Sequence, residues 1–131
     1  MPAPARPFAY AVLRVVPCVE RGERINVGVV LYCRQADFLA LRADLDDARL
    51  AAIAPGLDPA PIRSRLAALG AVVAGAADGG ALARLPPSER FGWLVAPSST
   101  IIQASEVHTG LTDDPQATLD RLYARLVGWA G

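Results

Sequence analysis

Lysine is absent from the 131-residue sequence, and histidine and cysteine are nearly so, at one and two copies. With His108, Cys18 and Cys33 as the whole stock of imidazole and thiol ligands, a tetrahedral zinc site would need carboxylates or a second chain. No glycine-rich phosphate loop closed by lysine occurs, nor any nucleophile elbow. All 13 basic residues are arginine, which is read as the coding bias of a GC-rich sequence. They balance 13 acidic residues, so no net field draws in nucleic acid or an anionic membrane surface, and neither is expected as a partner. No apolar run approaches the roughly 18 residues that span a bilayer, and the opening MPAPARPFAY lacks the unbroken apolar core of a signal peptide. The expected location is the cytoplasm, and no cofactor is expected.

What the sequence does have is length for one domain, residues 1–131, able to bury roughly two thirds of its unfolded surface. The β-branched and aromatic segment from Phe8 to Val16 reads as a strand ended by Pro17. Alternation puts Phe8, Tyr10, Val12 and Val16 on one side and Ala9, Ala11, Leu13 and Val15 on the other, so the strand is expected inside a sheet covered on both faces. Arg14 breaks the pattern and is expected either to snorkel out at a sheet edge or to meet an acidic partner. Glu20 to Arg24 forms a charged turn in which Gly22 can take a positive φ. Ile25 to Cys33 then completes a hairpin, with Ile25, Val27, Val29 and Leu31 on one face and Asn26, Gly28, Val30 and Tyr32 on the other. Gly28, in mid-strand, signals a bulge or the close approach of another segment. In this pairing Cys18 and Cys33 lie on the order of 25 Å apart, far beyond the roughly 7 Å limit of a disulfide, so two free thiols are expected.

Asp37 to Ala43 suits a strand or a helix by periodicity and is assigned as a third strand, making a meander. Leu45, Ala48, Ala52 and Ile53 mark a short helix stopped by Pro55 and Gly56. Asp58 and Pro59 open a longer one, with Ile62, Leu66, Leu69 and Val73 on its buried side. The Ala/Gly-rich stretch from Ala71 to Ala83 could be mobile, with Asp78, Gly79 and Gly80 as a loop, and Pro86 to Glu89 introduces a helical turn carrying Arg90, Phe91 and Trp93. After Pro97, Ser98 and Ser99, the segment Thr100 to Ser105 is a fourth strand, which Val107 to Leu111 either extends or pairs with. Thr112 to Pro115 starts a C-terminal helix that presents Leu119, Leu122, Tyr123 and Leu126 to the sheet. The expected fold is α/β of the α+β type: an N-terminal antiparallel β-meander with a later strand, covered by amphipathic helices.

Tyr10, Leu13, Arg14 and Pro17, followed by Arg21-Gly22-Glu23 and Asn26-Val27-Gly28-Val29-Val30-Leu31, resemble the bacterial family called domain of unknown function 3037. Arg90-Phe91, Ile102-Gln103 and His108-Thr109-Gly110-Leu111 extend the resemblance over most of the chain. The resemblance implies a bacterial source and, through family members that lie near kinase-like proteins, a HipA-like kinase as a protein partner; it carries no catalytic residues with it.

Two polar groups stand out as candidate sites. Glu23, Asn26 and Gly28 place a carboxylate, a carboxamide and a side-chain-free position near one end of a strand, where they suit a ligand or a partner's backbone. The plainer reading pairs Glu23 with Arg21 or Arg24, ties Asn26 to the turn and lets Gly28 make room for an aromatic. The second group is Gln103, Ser105, Glu106, His108 and Thr109, with Asp113 beyond; His108 is the candidate general base because its unperturbed pKa lies near neutrality. Its plainer reading is a hydrogen-bonded loop or cap. Arg90 with Phe91 and Trp93 suits phosphate or single-stranded nucleic acid, or else a salt bridge beside core aromatics. The thiols lack a basic cluster and read as inert. The leading expectation is a non-catalytic accessory or protein-binding module using Glu23, Asn26, Arg90, Gln103, His108 and Thr109. The alternatives are a small hydrolase or transferase using His108 with Glu23, Arg90 or Ser105, and nucleic-acid binding through Arg90 and the nearby aromatics.

Overall fold

The computed structural model describes residues 4–98 and 100–128; Ser99 and the first three residues of the opening segment lie outside that range. Strands β1 (Arg6–Val15), β2 (Ile25–Cys33) and β3 (Phe38–Ala43) form the antiparallel meander. Helices α1 (Asp47–Ile53), α2 (Ala60–Ala74) and α3 (Pro87–Val95) follow, then β4 (Ile102–Ala104), β5 (His108–Thr112) and α4 (Pro115–Leu126). The sheet runs in the order β3, β2, β1, with β4 and β5 both on the free side of β1. The mixed α/β architecture is the one expected from the strand and helix periodicities. Val107 to Leu111 extends the fourth strand rather than pairing with it, because β4 faces Leu13 to Val15 and β5 faces Arg6 to Tyr10 along one edge.

The helix starts follow local chemistry. Asp46 accepts from the Arg49 N–H, Asp58 from the Ala60 N–H, and Asp114 from the Ala117 N–H, with Pro115 in the first turn of α4. Two helix layers then sandwich the sheet. Below it, Ala11 and Val30 pack with Val73, Phe91 and Leu94, while Leu13, Val15 and Val27 pack with Leu45, Leu50, Ile62, Leu66 and Ile102. Above it, Phe8, Val29, Leu31 and Cys33 meet Leu119, Leu122 and Val127.

One expectation about β2 is corrected. Ile25, Val27, Val29 and Leu31 do not share a face, because Leu13 pairs with Gly28 while Arg14 pairs with Asn26, leaving Val27 as an extra residue. This bulge reverses the alternation, so Val27 packs with α2 residues and Val29, Leu31 and Cys33 turn to α4. Gly28 serves both roles its position suggested. A Cβ there would lie 2.8 Å from Ala43 Cβ and 3.0 Å from Arg42 O, so the neighbour it makes room for is β3 and not an aromatic ring. The Ala/Gly-rich stretch carries regular structure: α2 continues to Ala74, 3-10 turns cover Ala77–Gly79 and Ala81–Arg84, and Ala83 is buried. Cys18 is exposed in the hairpin loop and Cys33 buried, and both are free thiols.

Replacing Gly28 by alanine is expected to cost about 1–3 kcal/mol through overpacking. Ala43→Gly in the same chain should return part of that loss by removing the opposing methyl. Denaturant unfolding of both single variants and the double variant checks this, and a double variant no better than strict additivity would refute the close-approach account.

Candidate functional site

Residues directly opposite one another in antiparallel strands share a face. Even-numbered residues of β1 face α4, so Tyr10 and its partner His108 lie there together, as do Arg14 and its two partners, Asn26 on β2 and Gln103 on β4. The hairpin end and the His108 segment therefore meet on one surface, the α4 side of β1. Helix α4 lies over β2 and β3. Beside it His108 is exposed, and Tyr10, Arg14, Asn26 and Gln103 are half-buried. The Arg14 and Tyr10 rows are four residues apart, about 13 Å along the strand.

A second bulge shapes this strip. Between β4 and β5, Ser105, Glu106 and Val107 stand opposite only Ala11 and Val12. Ser105 holds the irregularity closed: its N–H donates to Val12 O, its Oγ accepts from the Val12 N–H at 2.9 Å, and its hydroxyl donates to Glu106 O at 2.9 Å. The side chain thus replaces a backbone acceptor, and its hydroxyl is already engaged in both directions. His108, beyond the bulge, sits in β5 with its ring centroid 5.3 Å from that of Tyr10, not in a loop or a cap.

The individual candidates divide clearly. Glu23 pairs with Arg21 at 2.7 Å in the exposed hairpin loop. Asn26 does not tie the turn; its Nδ2 donates to Leu126 O at 3.0 Å, at the end of α4, where Arg49 also donates to Val127 O at 2.7 Å. Two side chains far away in sequence thus satisfy carbonyls that the helix leaves open. Gln103 donates to Thr100 O at 2.9 Å. Thr109, paired with Ala9, is exposed on the opposite face from His108. Arg90 lies under the other layer. It donates to Leu85 O at 2.9 Å, Val73 O at 2.7 Å and Val72 O at 3.4 Å, closing the end of α2 next to Gly75, whose φ is +67°. The salt bridge considered for Arg90 is replaced by this carbonyl cap. Phe91 is buried against Tyr32, while Trp93 is exposed and lines a cleft of about 200 Å³ with Arg65, Leu69 and Thr100.

Arg14 stood out in the sequence but was not among the candidate site residues. Neither expectation for it holds: β1 is interior to the sheet, and among the described residues Arg14 forms no ion pair. Its Nε is buried with no hydrogen-bond partner. Burial lowers its affinity for the proton below that of an ordinary guanidinium, Arg24 acts in the same direction, and Glu106 opposes both. The signal was present as the one charged residue in an apolar strand. Its two cross-strand partners were not visible.

The family model for the protein of unknown function DUF3037 matches residues 10–127. The chain belongs to this family. No curated protein and no solved structure matches it. The DUF3037 match spans β1 through α4, and so includes Tyr10, Arg14, Asn26, Gln103 and His108. Among the described residues no three His, Cys, Asp or Glu side chains are grouped to hold a metal ion, and no helix is long and apolar enough to cross a membrane.

Ser105→Ala leaves the buried Val12 N–H without its acceptor and is expected to cost about 1–3 kcal/mol. Arg90→Met removes charged donors from the α2 carbonyls and is expected to cost about 1.5–3 kcal/mol. Urea unfolding measures both; losses under half a kcal/mol would contradict the structural roles given to these side chains.

Proposed function

We propose that this DUF3037 protein is a non-catalytic accessory module that binds a protein partner through the α4 side of β1, β4 and β5. One observation carries the reading. Asn26, Gln103 and His108, from segments separated by more than seventy residues of sequence, come to one side of the sheet around Arg14, which among the described residues forms no hydrogen bond or ion pair and whose buried Nε has no acceptor. Such a surface offers a partner aromatic area at Tyr10 and His108 and unspent hydrogen-bonding capacity at Arg14. The exposed Val107 in the adjoining bulge adds apolar area. The commitment of the Ser105 hydroxyl and of Arg90 to backbone groups, and of Glu23 to Arg21, favours binding over hydrolysis, which would draw on one of them beside His108, and Arg90's commitment also counts against nucleic-acid contact. A cytoplasmic bacterial setting and a HipA-like kinase partner are the proposals that go with the family resemblance.

The test places a photo-crosslinking residue at Gln103 or at His108 in the full chain, with Ser64 on the far side of the molecule as control, and irradiates cells of the native host. The expected result is one protein trapped from both strip positions and not from Ser64. That protein, purified, should bind the unmodified chain and lose at least about tenfold in affinity, ~1.4 kcal/mol, when His108→Trp obstructs the strip. A HipA-like kinase is the first partner to reconstitute. Equal trapping from Ser64, or none from the strip, would refute the reading.

A further inference from the structure

Most of the well-placed arginines in this protein are satisfied from within. Arg21, Arg42 and Arg63 meet the carboxylates of Glu23, Asp120 and Asp47, and Arg49 and Arg90 donate to helix-terminal carbonyls. Arg14 is different. Among the described residues it makes neither a hydrogen bond nor an ion pair, although it is half-buried in the middle of the sheet. Two of its cross-strand neighbours and one nearby carboxylate are spoken for: Asn26 holds Leu126 O, Gln103 holds Thr100 O, and Glu23 is taken by Arg21; Glu106, exposed, acts on Arg14 without forming an ion pair with it. The buried Nε anchors one side of the guanidinium, while the two terminal nitrogens are neither bonded nor sealed from solvent.

We propose that Arg14, with Arg24 beside it, receives a single side-chain carboxylate from an acidic segment of the protein that docks on this strip. The proposal rests on the docking reading above and names the chemistry of the partner. A guanidinium held partly out of water gains most from an acceptor that matches its planar fork, and a carboxylate does so with two parallel hydrogen bonds. Local charge selects a monoanion. Arg14 and Arg24 repel one another and Glu106 offsets one of them, leaving one positive charge in excess. A phosphate dianion would overcompensate that charge and meet Glu106 as well. Tyr10, His108 and Val107 then flank the anchored carboxylate with apolar and aromatic surface.

Arg6 supplies an internal control. Its Nε is also buried without a partner, but it lies eight residues along β1, on the order of 26 Å away, beyond the reach of a short peptide anchored at Arg14. The experiment titrates the ¹⁵N-labelled full chain with three probes: a capped pentapeptide containing one glutamate, the same peptide with glutamine there, and inorganic phosphate. The Arg14 Nε–H resonance should shift saturably with the glutamate peptide, not with the glutamine peptide, and more weakly with phosphate. Arg14→Gln should abolish the binding, Arg14→Lys should weaken it about fivefold by removing the fork, and Arg6→Gln should leave it unchanged. Glu106→Gln alters an exposed side chain and removes the competing charge, so it should tighten binding about threefold whether or not the Arg14 variants fold well. Phosphate binding as tight as the glutamate peptide, uniform shifts across the arginines, or no gain from Glu106→Gln would overturn the proposal. The two readings fail separately. A partner trapped from the strip whose affinity is indifferent to Arg14→Gln removes the carboxylate anchor and keeps the docking surface; a glutamate peptide bound at Arg14 with no trapped partner does the reverse.

Discussion

Opposite the step from Leu13 to Arg14, β2 contains one residue more than its partner strand, and both cores of the molecule are arranged around that surplus. Without it, strict alternation would hold Val27, Val29 and Leu31 on one side. With it, Val27 joins Leu13 and Val15 against α2, while Val29, Leu31 and Cys33 join Phe8 against α4. A single strand thereby feeds two hydrophobic layers. Gly28 is what the arrangement requires, because the bulged backbone approaches β3 too closely for a Cβ. The same reversal carries Asn26 to the α4 side, where its amide can hold the last turn of that helix.

β1 is the other shared element. One of its edges is used by β2 along nearly the whole strand, and the other is divided between β5 and β4, with the Ser105–Val107 irregularity between them. The division matters because α4 packs mainly on β2 and β3 and meets β5 at its Thr112 end, through Thr118. A row of side chains from four strands is left beside the helix, with Tyr10 and His108 in ring contact at one position and Asn26, Arg14 and Gln103 abreast at another. Burying the base of Arg14 without supplying an acceptor is costly in a folded chain unless something external supplies one. That imbalance is why the strip reads as a surface for binding.

Much of the remaining polar chemistry is spent on holding helices in place. Asn26 and Arg49 serve the end of α4, Arg90 serves the end of α2, and Ser105 stands in for a missing backbone acceptor. Thr112 and Thr118 bond to one another at 2.6 Å where β5 turns into α4. Three of these, Asn26, Arg90 and Ser105, looked in the sequence like candidates for ligand or substrate contact. A side chain with hydrogen-bonding capacity looks the same in a sequence whether it meets a ligand or, as Asn26 does, a backbone carbonyl 100 residues away.

The sequence by itself determined the strands of the meander, the free thiols, the start of each long helix and the family. All of these depend on local periodicity, capping chemistry and short motifs, which act between residues a few positions apart. It also marked position 28 as special, since a glycine inside a β-branched run has few purposes. What it left undecided was register. Which residue of β2 is surplus, whether the His108 segment extends β4, and which side chains stand abreast of Arg14 are settled by pairing between segments up to about ninety residues apart. A shift of one residue in any pairing would send the whole polar row to the opposite face. The candidate residues were legible in the sequence; their meeting around a guanidinium without a partner among the described residues was decided only when the four strands closed side by side.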